Sequence, residues 1–425
     1  MRHSHDNPRL GPDKKRSLGI EALESRRLFS ATPSLNLDSS GFVSAAAQGS
    51  VKLPYSYFVT GNAGDTNPVL TSASAGLALV GGGLDVDEVF KWMGAKVTGP
   101  ATPGKGDFLV IRATGTNAYN GYIDRLVPDL DSVATLIIPD KVAANHPDVA
   151  RIIGEAEAIF IAGGDQGNYV TFWNDTPVEQ EIYKAVLRNA PIGGTSAGLA
   201  VLGEIDFSAV AGSITSSEAL LNPLDRRIVN GLDSRFLSPE EPLVSKSILK
   251  YMDNLITDSH FMQRDREGRL LTFMANMDAR NLVPGLPRAI GVNEQTALLI
   301  ESSGMAKVVG NSYSNRLSPT EQQRSVYLFQ GNTRDLPLSA LGAPLTYSAQ
   351  GVKANYDPSL PTPTGDNFDL DDLFASRNWS HPVLDQYDLT AVNGVINRNT
   401  IPLTSANYYD PTYGETDAKR RSRLG

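Results

Sequence analysis

Pro191-Ile-Gly-Gly-Thr-Ser-Ala-Gly198 is the stretch on which the reading of this 425-residue chain turns. Within it, Gly194-Thr-Ser196-Ala-Gly198 has the form G-x-S-x-G, with a very short apolar stretch before it and the apolar run Leu199–Leu202 after it. On a sharp strand-to-helix turn, glycines flank the central residue because side chains there would meet neighbouring backbone. The turn lifts the serine hydroxyl above the sheet and sets it at a helix N-terminus, where free N–H groups can hold an oxyanion. A glycine-rich turn with an ordinary N-cap serine is the plainer alternative. The strand–turn–helix context favours a nucleophile.

Upstream, the apolar runs Leu77–Val80, Phe108–Ile111, Ala134–Ile138 and Ala158–Ile161 each end at a turn former. Between them lie segments of helical length and amphipathic spacing: Asp85–Met93, Tyr119–Leu126, Pro147–Gly154 and Val178–Arg188. Short, continuously apolar strands alternating with helices are what a parallel sheet covered on both faces requires. The fold class is α/β. Beyond about residue 205 the alternation loosens, with a helix expected over 246–256 and strands within Ala289–Ile300 and Ser325–Phe329. Four segments are expected: a basic leader (1–35), a linker with an edge strand around Ser50–Val59 (36–73), the main domain (74–335), and a Pro/Tyr/Asn-rich extension with little core of its own (336–425). The extension ends in Lys419-Arg-Arg-Ser-Arg423, read as a solvated end.

Forty-seven acidic against 38 basic residues leave a net charge of −9, which argues against a nucleic-acid partner. With no cysteine, disulfides, thiolate metal sites and cysteine nucleophiles are all excluded. Only five histidines occur, so a multi-histidine metal centre is not expected, and no metal or cofactor is called for. No apolar run approaches the ~20 residues of a membrane-spanning helix.

A serine hydroxyl needs a base. His3 and His5 fall in the leader, and His146 and His381 each precede a proline. His260 lies in Asp258-Ser-His-Phe-Met-Gln-Arg264-Asp-Arg266-Glu-Gly-Arg269-Leu, beside three arginines that are either a solvated face or donors for substrate carboxylates. The carboxylate that would orient the imidazole is Glu218 or Glu294, and pattern alone does not choose. A second glycine turn, Ile161-Ala-Gly-Gly-Asp-Gln166, should share the rim with Ser196, so that Gly163 and Gly164, with Ala197 at the helix start, offer N–H groups to an oxyanion and Gln166 a hydrogen bond to substrate. Gly81-Gly-Gly83 reads as a tight strand–helix turn without the spacing of a dinucleotide fingerprint.

Together these motifs resemble cyanophycinase and the wider serine peptidase family S51 that includes aspartyl dipeptidase. The matching pieces are Gly81-Gly-Gly83, Gly163-Gly-Asp-Gln166, Gly193-Gly-Thr-Ser-Ala-Gly198, the Asp258–Leu270 motif and Gly291-Val-Asn-Glu-Gln-Thr-Ala297. Where cyanophycinase has Gln before the histidine, this chain has Ser259. The resemblance implies a three-layer, class I glutamine amidotransferase-like (flavodoxin-like) fold. It also implies hydrolysis of β-aspartyl-arginine polymer or related β-aspartyl peptides through an acyl-enzyme. Ser196 would be the nucleophile, His260 the base and Glu294 its partner. Gln166, Asp258, Arg264, Arg266 and Arg269 would line the substrate groove. A homodimer stays open as an assembly. Another substrate, or a non-catalytic binding protein on this scaffold, are the competing readings. The segment from Leu18 to Ala31 resembles a leader of planctomycete proteins, which leaves cytoplasmic and exported locations both open.

Overall fold

The computed structural model describes residues 52–62, 64, 66–99, 105–232, 236, 248–311, 324–356, 367–374 and 384–402. The leader, His381 and the Lys419–Arg423 cluster lie outside these residues.

Fifteen strands are described: β1 (Ser56–Gly61), β2 (Gly76–Val80), β3 (Asp107–Arg112), β4 (Ser132–Ile137), β5 (Ala158–Ile161), β6 (Ile192–Thr195), β7 (Leu255–Asp258), β8 (Arg288–Val292), β9 (Thr296–Glu301), β10 (Met305–Gly310), β11 (Ser325–Gly331), β12 (Tyr347–Asn355), β13 (Phe368–Asp369), β14 (Leu384–Val392) and β15 (Val395–Pro402). The helices are α1 (Asp87–Thr98), α2 (Ala118–Leu126), α3 (Lys141–Ala144), α4 (Pro147–Glu155), α5 (Gln166–Trp173), α6 (Pro177–Leu187), α7 (Ala197–Ala200), α8 (Ser216–Leu221), α9 (Arg226–Val229), α10 (Glu267–Ala279) and α11 (Leu370–Phe374).

Nine strands form one sheet in the order β1-β4-β3-β5-β6-β2-β9-β10-β13, whose centre, β4 to β2, is parallel throughout. Successive residues of a strand face opposite ways, and the buried side chains divide accordingly. Leu77, Leu79, Leu109, Ile111, Ile159 and Ile161 join one core with α4, α5 and α6. Ala78, Val80, Phe108, Val110, Ala158 and Phe160 join another with α1 and α2. Both faces are therefore covered, as the continuous apolar runs require. The fold is a three-layer α/β arrangement with a parallel sheet.

Six further strands, β15-β14-β12-β11-β8-β7, form a second sheet. Ile290, Val292, Val326 and Leu328 on one of its faces enter the first core. On the other, Ala289, Tyr327 and Phe329 pack with α10. Every residue of α10 is buried, which explains why it lacks the polar stripe of a surface helix.

Two sequence expectations meet a different structure, and a third, the strands within Ala289–Ile300, is met and refined. The helix expected over 246–256 is a short 3₁₀ turn, Ile248–Met252, followed at once by β7. The apolar stretch Ala289–Ile300 is two strands in two sheets, with Asn293-Glu294-Gln295 crossing between them. The residues beyond 336 contribute β12, β14 and β15 to the second sheet, and Tyr347, Val352, Leu384, Tyr387 and Leu389 are buried there. Alternating apolar and polar residues in Leu384–Val392 are the mark of a sheet strand, masked in the sequence by the surrounding Pro, Asn and Asp.

Candidate active site

Because β5, β6 and β2 are adjacent and parallel, the glycine turns that follow them meet at one rim. A Cβ built on Gly198 would overlap the carbonyl of Ile161, and one on Gly194 would overlap the carbonyl of Gly198. The two glycines of the G-x-S-x-G turn are thus required by backbone contact. Ser196, which caps α7, is held at φ 54°, ψ −111°, a region few non-glycine residues occupy and one that stores about 1–3 kcal/mol of strain. Its N–H donates to Val80 O at 3.1 Å, which ties the turn to the end of β2.

The partner comes from the second sheet. His260 follows β7, and its N–H donates to Gly81 O at 2.8 Å, joining the two sheets at the rim. Its Nε2 lies 2.7 Å from Ser196 Oγ, and its Nδ1 lies 2.6 Å from Glu294 Oε1. Glu294 occupies the crossover between β8 and β9, where its N–H donates to Gln263 Oε1 at 3.1 Å. On the same crossover, Asn293 Oδ1 accepts from Met262 N at 3.1 Å. Burial of His260 disfavours its charged form and outweighs the opposing effect of Glu294, so its pKa lies below the ordinary 6.5, with Arg264 and Arg266 adding to the decrease. The imidazole is therefore neutral at neutral pH, and its Nε2 can accept the proton of Ser196.

Glu218 stands elsewhere. It closes a capping box on Thr215 at the start of α8 and pairs with Arg227 at 3.1 Å. Of the two candidate carboxylates, Glu294 is the one in contact with His260. His146 caps α4, its Nδ1 accepting from Asp148 N.

Among the expected groove residues, the structure separates two groups. Asp258 and Arg269 face each other: each side chain is 4% exposed, and Arg269 Nε and Nη2 donate to the two oxygens of Asp258 at 2.7 and 2.6 Å. Arg266 Nη1 adds a bond to Asp258 Oδ1 at 2.9 Å and another to Ser259 O. These guanidiniums hold Asp258 ionised against its burial, with its pKa below the usual carboxylate range. Instead of lining a groove, Asp258 and Arg269 fasten the end of β7 to α10. Arg264, by contrast, is exposed, and its side chain makes no ion pair among the described residues. Gln166 opens α5 half-buried, just after its cap Asp165. Gly163 backs Ser196 closely, since a Cβ there would lie 3.4 Å from Ser196 Cβ.

Sequence reading left Gly82, Gln263 and Asn293 without a role. Gly82, at φ +93°, lies flat against the His260 ring. All three sit inside motifs visible in the sequence, but which group each meets depends on two sheets converging.

Residues 113–224 match the model of peptidase family S51. That stretch of the chain is similar to family S51. The matched stretch holds both Gly163-Gly164 and Ser196, whereas His260 and Glu294 lie beyond it. Cyanophycinase of Geminocystis herdmanii is 29% identical over 177 residues, 41% of this chain and 54% of that protein. Cyanophycinase of Trichormus variabilis is 28% identical over 193 residues, 45% of this chain and 55% of that protein. The chain thus spans about half the length of the curated relatives it matches. The crystal structure of a peptidase from an acI-B1 Actinobacterium aligns with 62% of this chain and 92% of its own at 20% identity, with a TM-score of 0.38. Among the described residues, no helix is long and apolar enough to cross a membrane.

Proposed function

We propose that this chain is a serine peptidase that cleaves β-aspartyl-arginine polymer (cyanophycin) or related β-aspartyl peptides through an acyl-enzyme. The observation that carries the reading is the continuous chain Ser196 Oγ–His260–Glu294, with contacts of 2.7 and 2.6 Å. Ser196 attacks the substrate carbonyl while its proton passes to Nε2; Nδ1–H donates to Glu294, which stabilises the imidazolium that forms. N–H groups of Gly163, Gly164 and Ala197 receive the developing oxyanion. The imidazolium then protonates the leaving amine, and water activated by the same base releases the acyl group.

The similarity to cyanophycinases supports the substrate class, and exposed Arg264 supports a requirement for negative charge on the substrate. The internal pairing of Asp258 with Arg269 favours a second reading, a β-aspartyl peptide without arginine, because fewer groups remain free to recognise both ends of an aspartyl-arginine unit. A fluorophosphonate probe tests the mechanism: Ser196 is labelled in the wild type, and Ser196→Ala neither labels nor releases peptide while it melts near the wild type. Cyanophycin compared with arginine-free β-aspartyl peptides tests the substrate. A folded wild type that takes no label at Ser196 removes the proposal.

A further inference from the structure

The C-terminal strands reach back to the segment that carries His260. We infer that Arg398 and Tyr387 are positioning residues: by clamping Glu267 they hold the 264–267 half of the loop between β7 and α10, and with it Arg264, beside the Ser196–His260 pair. This rests on the peptidase reading above.

Glu267 opens α10, and its side chain has 0% exposure. Tyr387 on β14 donates its hydroxyl to Oε1; Arg398 on β15 donates Nε to Oε2 at 2.6 Å and Nη2 to the same oxygen. The fork also faces Asp265 Oδ1 at 3.8 Å. Asp265 itself is at φ 47°, and its carbonyl accepts from Ser216 Oγ. A buried carboxylate with both oxygens engaged by another part of the chain is a strong tether, since removing the cation leaves an uncompensated charge.

Each half of the loop has its own outside anchor, and the N–H groups of Arg264, Asp265 and Arg266 join the halves by donating to the carbonyls of His260, Met262 and Phe261. The first half is bound to the β8–β9 crossover: Phe261 N–H to Val292 O, Met262 N–H to Asn293 Oδ1, and Gln263 Oε1 to Glu294 N–H. Those bonds hold His260 regardless of the clamp. Arg264 lies between the anchors, with its N–H on His260 O at 3.0 Å and its side chain exposed. Arg264 and Arg266 are near enough to His260 for their charge to lower its pKa. Loss of the clamp loosens the half that presents Arg264, which keeps its bonds from Ser216 Oγ and from Arg266 to Asp258, while the base keeps its own anchors on the β8–β9 crossover.

The test uses the full chain and two fluorophosphonates of matched size, one with a neutral tail and one with a carboxylate tail, and follows the rate of labelling at Ser196. The wild type should label faster with the anionic probe. In Arg398→Met combined with Glu267→Gln, which removes the clamp without stranding a buried charge, the anionic-to-neutral rate ratio should fall about tenfold while the neutral rate holds. Arg398→Lys should restore part of the ratio. Tyr387→Phe, which deletes one hydroxyl, should lower it less, and serves if the double variant fails to melt cooperatively. An unchanged ratio in either folded variant, an equal fall in both rates, or equal rates in the wild type overturns the inference. A folded wild type that takes neither probe overturns the peptidase reading itself.

Discussion

A Cβ on Gly82 would stand 2.5 Å from Cε1 and 2.6 Å from Nε2 of His260. The turn after β2 is thus the floor on which the imidazole rests. Gly83, the next residue, backs Glu294 in the same way, with a Cβ there falling 3.1 Å from that of Glu294. Two glycines of one turn therefore back both the imidazole and the carboxylate that contacts it.

Gly82→Ala should displace the ring. At φ +93° the methyl group is strained even before it meets the imidazole. We expect labelling of Ser196 by a neutral fluorophosphonate to slow about 100-fold, the effect of an ångström-scale misplacement. Thermal melting measured alongside separates this from global unfolding: a variant that melts as the wild type and labels at the wild-type rate contradicts the packing argument.

Glu294→Gln removes the charge that stabilises the imidazolium and the acceptor that selects the Nδ1–H tautomer. A fall of about 10⁴-fold in kcat is expected, with KM little changed. Because Glu294 opposes the lowering of the His260 pKa, its loss should also move the acid limb of the kcat/KM profile to lower pH. A limb that moves upward would show that the contact does not act on the titration.

The pH dependence follows from His260. Its pKa in the folded chain is below 6.5, chiefly through burial. Activity should therefore persist below pH 6.5 and fall only as the buried ring takes its proton. Stability has the same sign: between the folded and unfolded pKa values the unfolded chain binds the extra proton, so this contribution is intact above 6.5 and is lost as pH falls through that window. Arg264→Gln removes a repulsive cation and should raise the His260 pKa, read from the NMR titration of the ring Cε1–H.

Asp258→Asn should be a stability variant first. It strands Arg269 in the interior, at a cost of about 3–5 kcal/mol, measured as a lower urea midpoint. The pair's contribution in the wild type is present above the ordinary carboxylate pKa and is lost as pH falls below it, because the folded pKa of Asp258 is depressed. Were these residues free to bind substrate instead, KM would change and the urea midpoint would not.

Glu218→Ala offers the contrast. The side chain caps α8 and pairs with Arg227, away from His260. Labelling of Ser196 should stay within about twofold of the wild type, with only a small loss of stability. A fall like that of Glu294→Gln would reverse the assignment of the two glutamates.

Much of this was legible along the chain. Four of the five parallel strands of the first sheet and four of the helices announce themselves through apolar runs and turn formers. The G-x-S-x-G turn names its serine, and scarcity singles out His260 among five histidines. These signals are local: period, turn chemistry and helix starts act over a few residues, and neighbouring residues suffice to read them. The choice between Glu218 and Glu294, the use of Asp258 and Arg269 as an internal tie, and the reach of Arg398 to Glu267 belong to the folded molecule alone. Each joins groups that are 11 to 131 residues apart, or separates two carboxylates of equal standing in the sequence. What decides them is where two sheets meet at one rim, and strand order across that junction leaves no local trace in the residues it brings together.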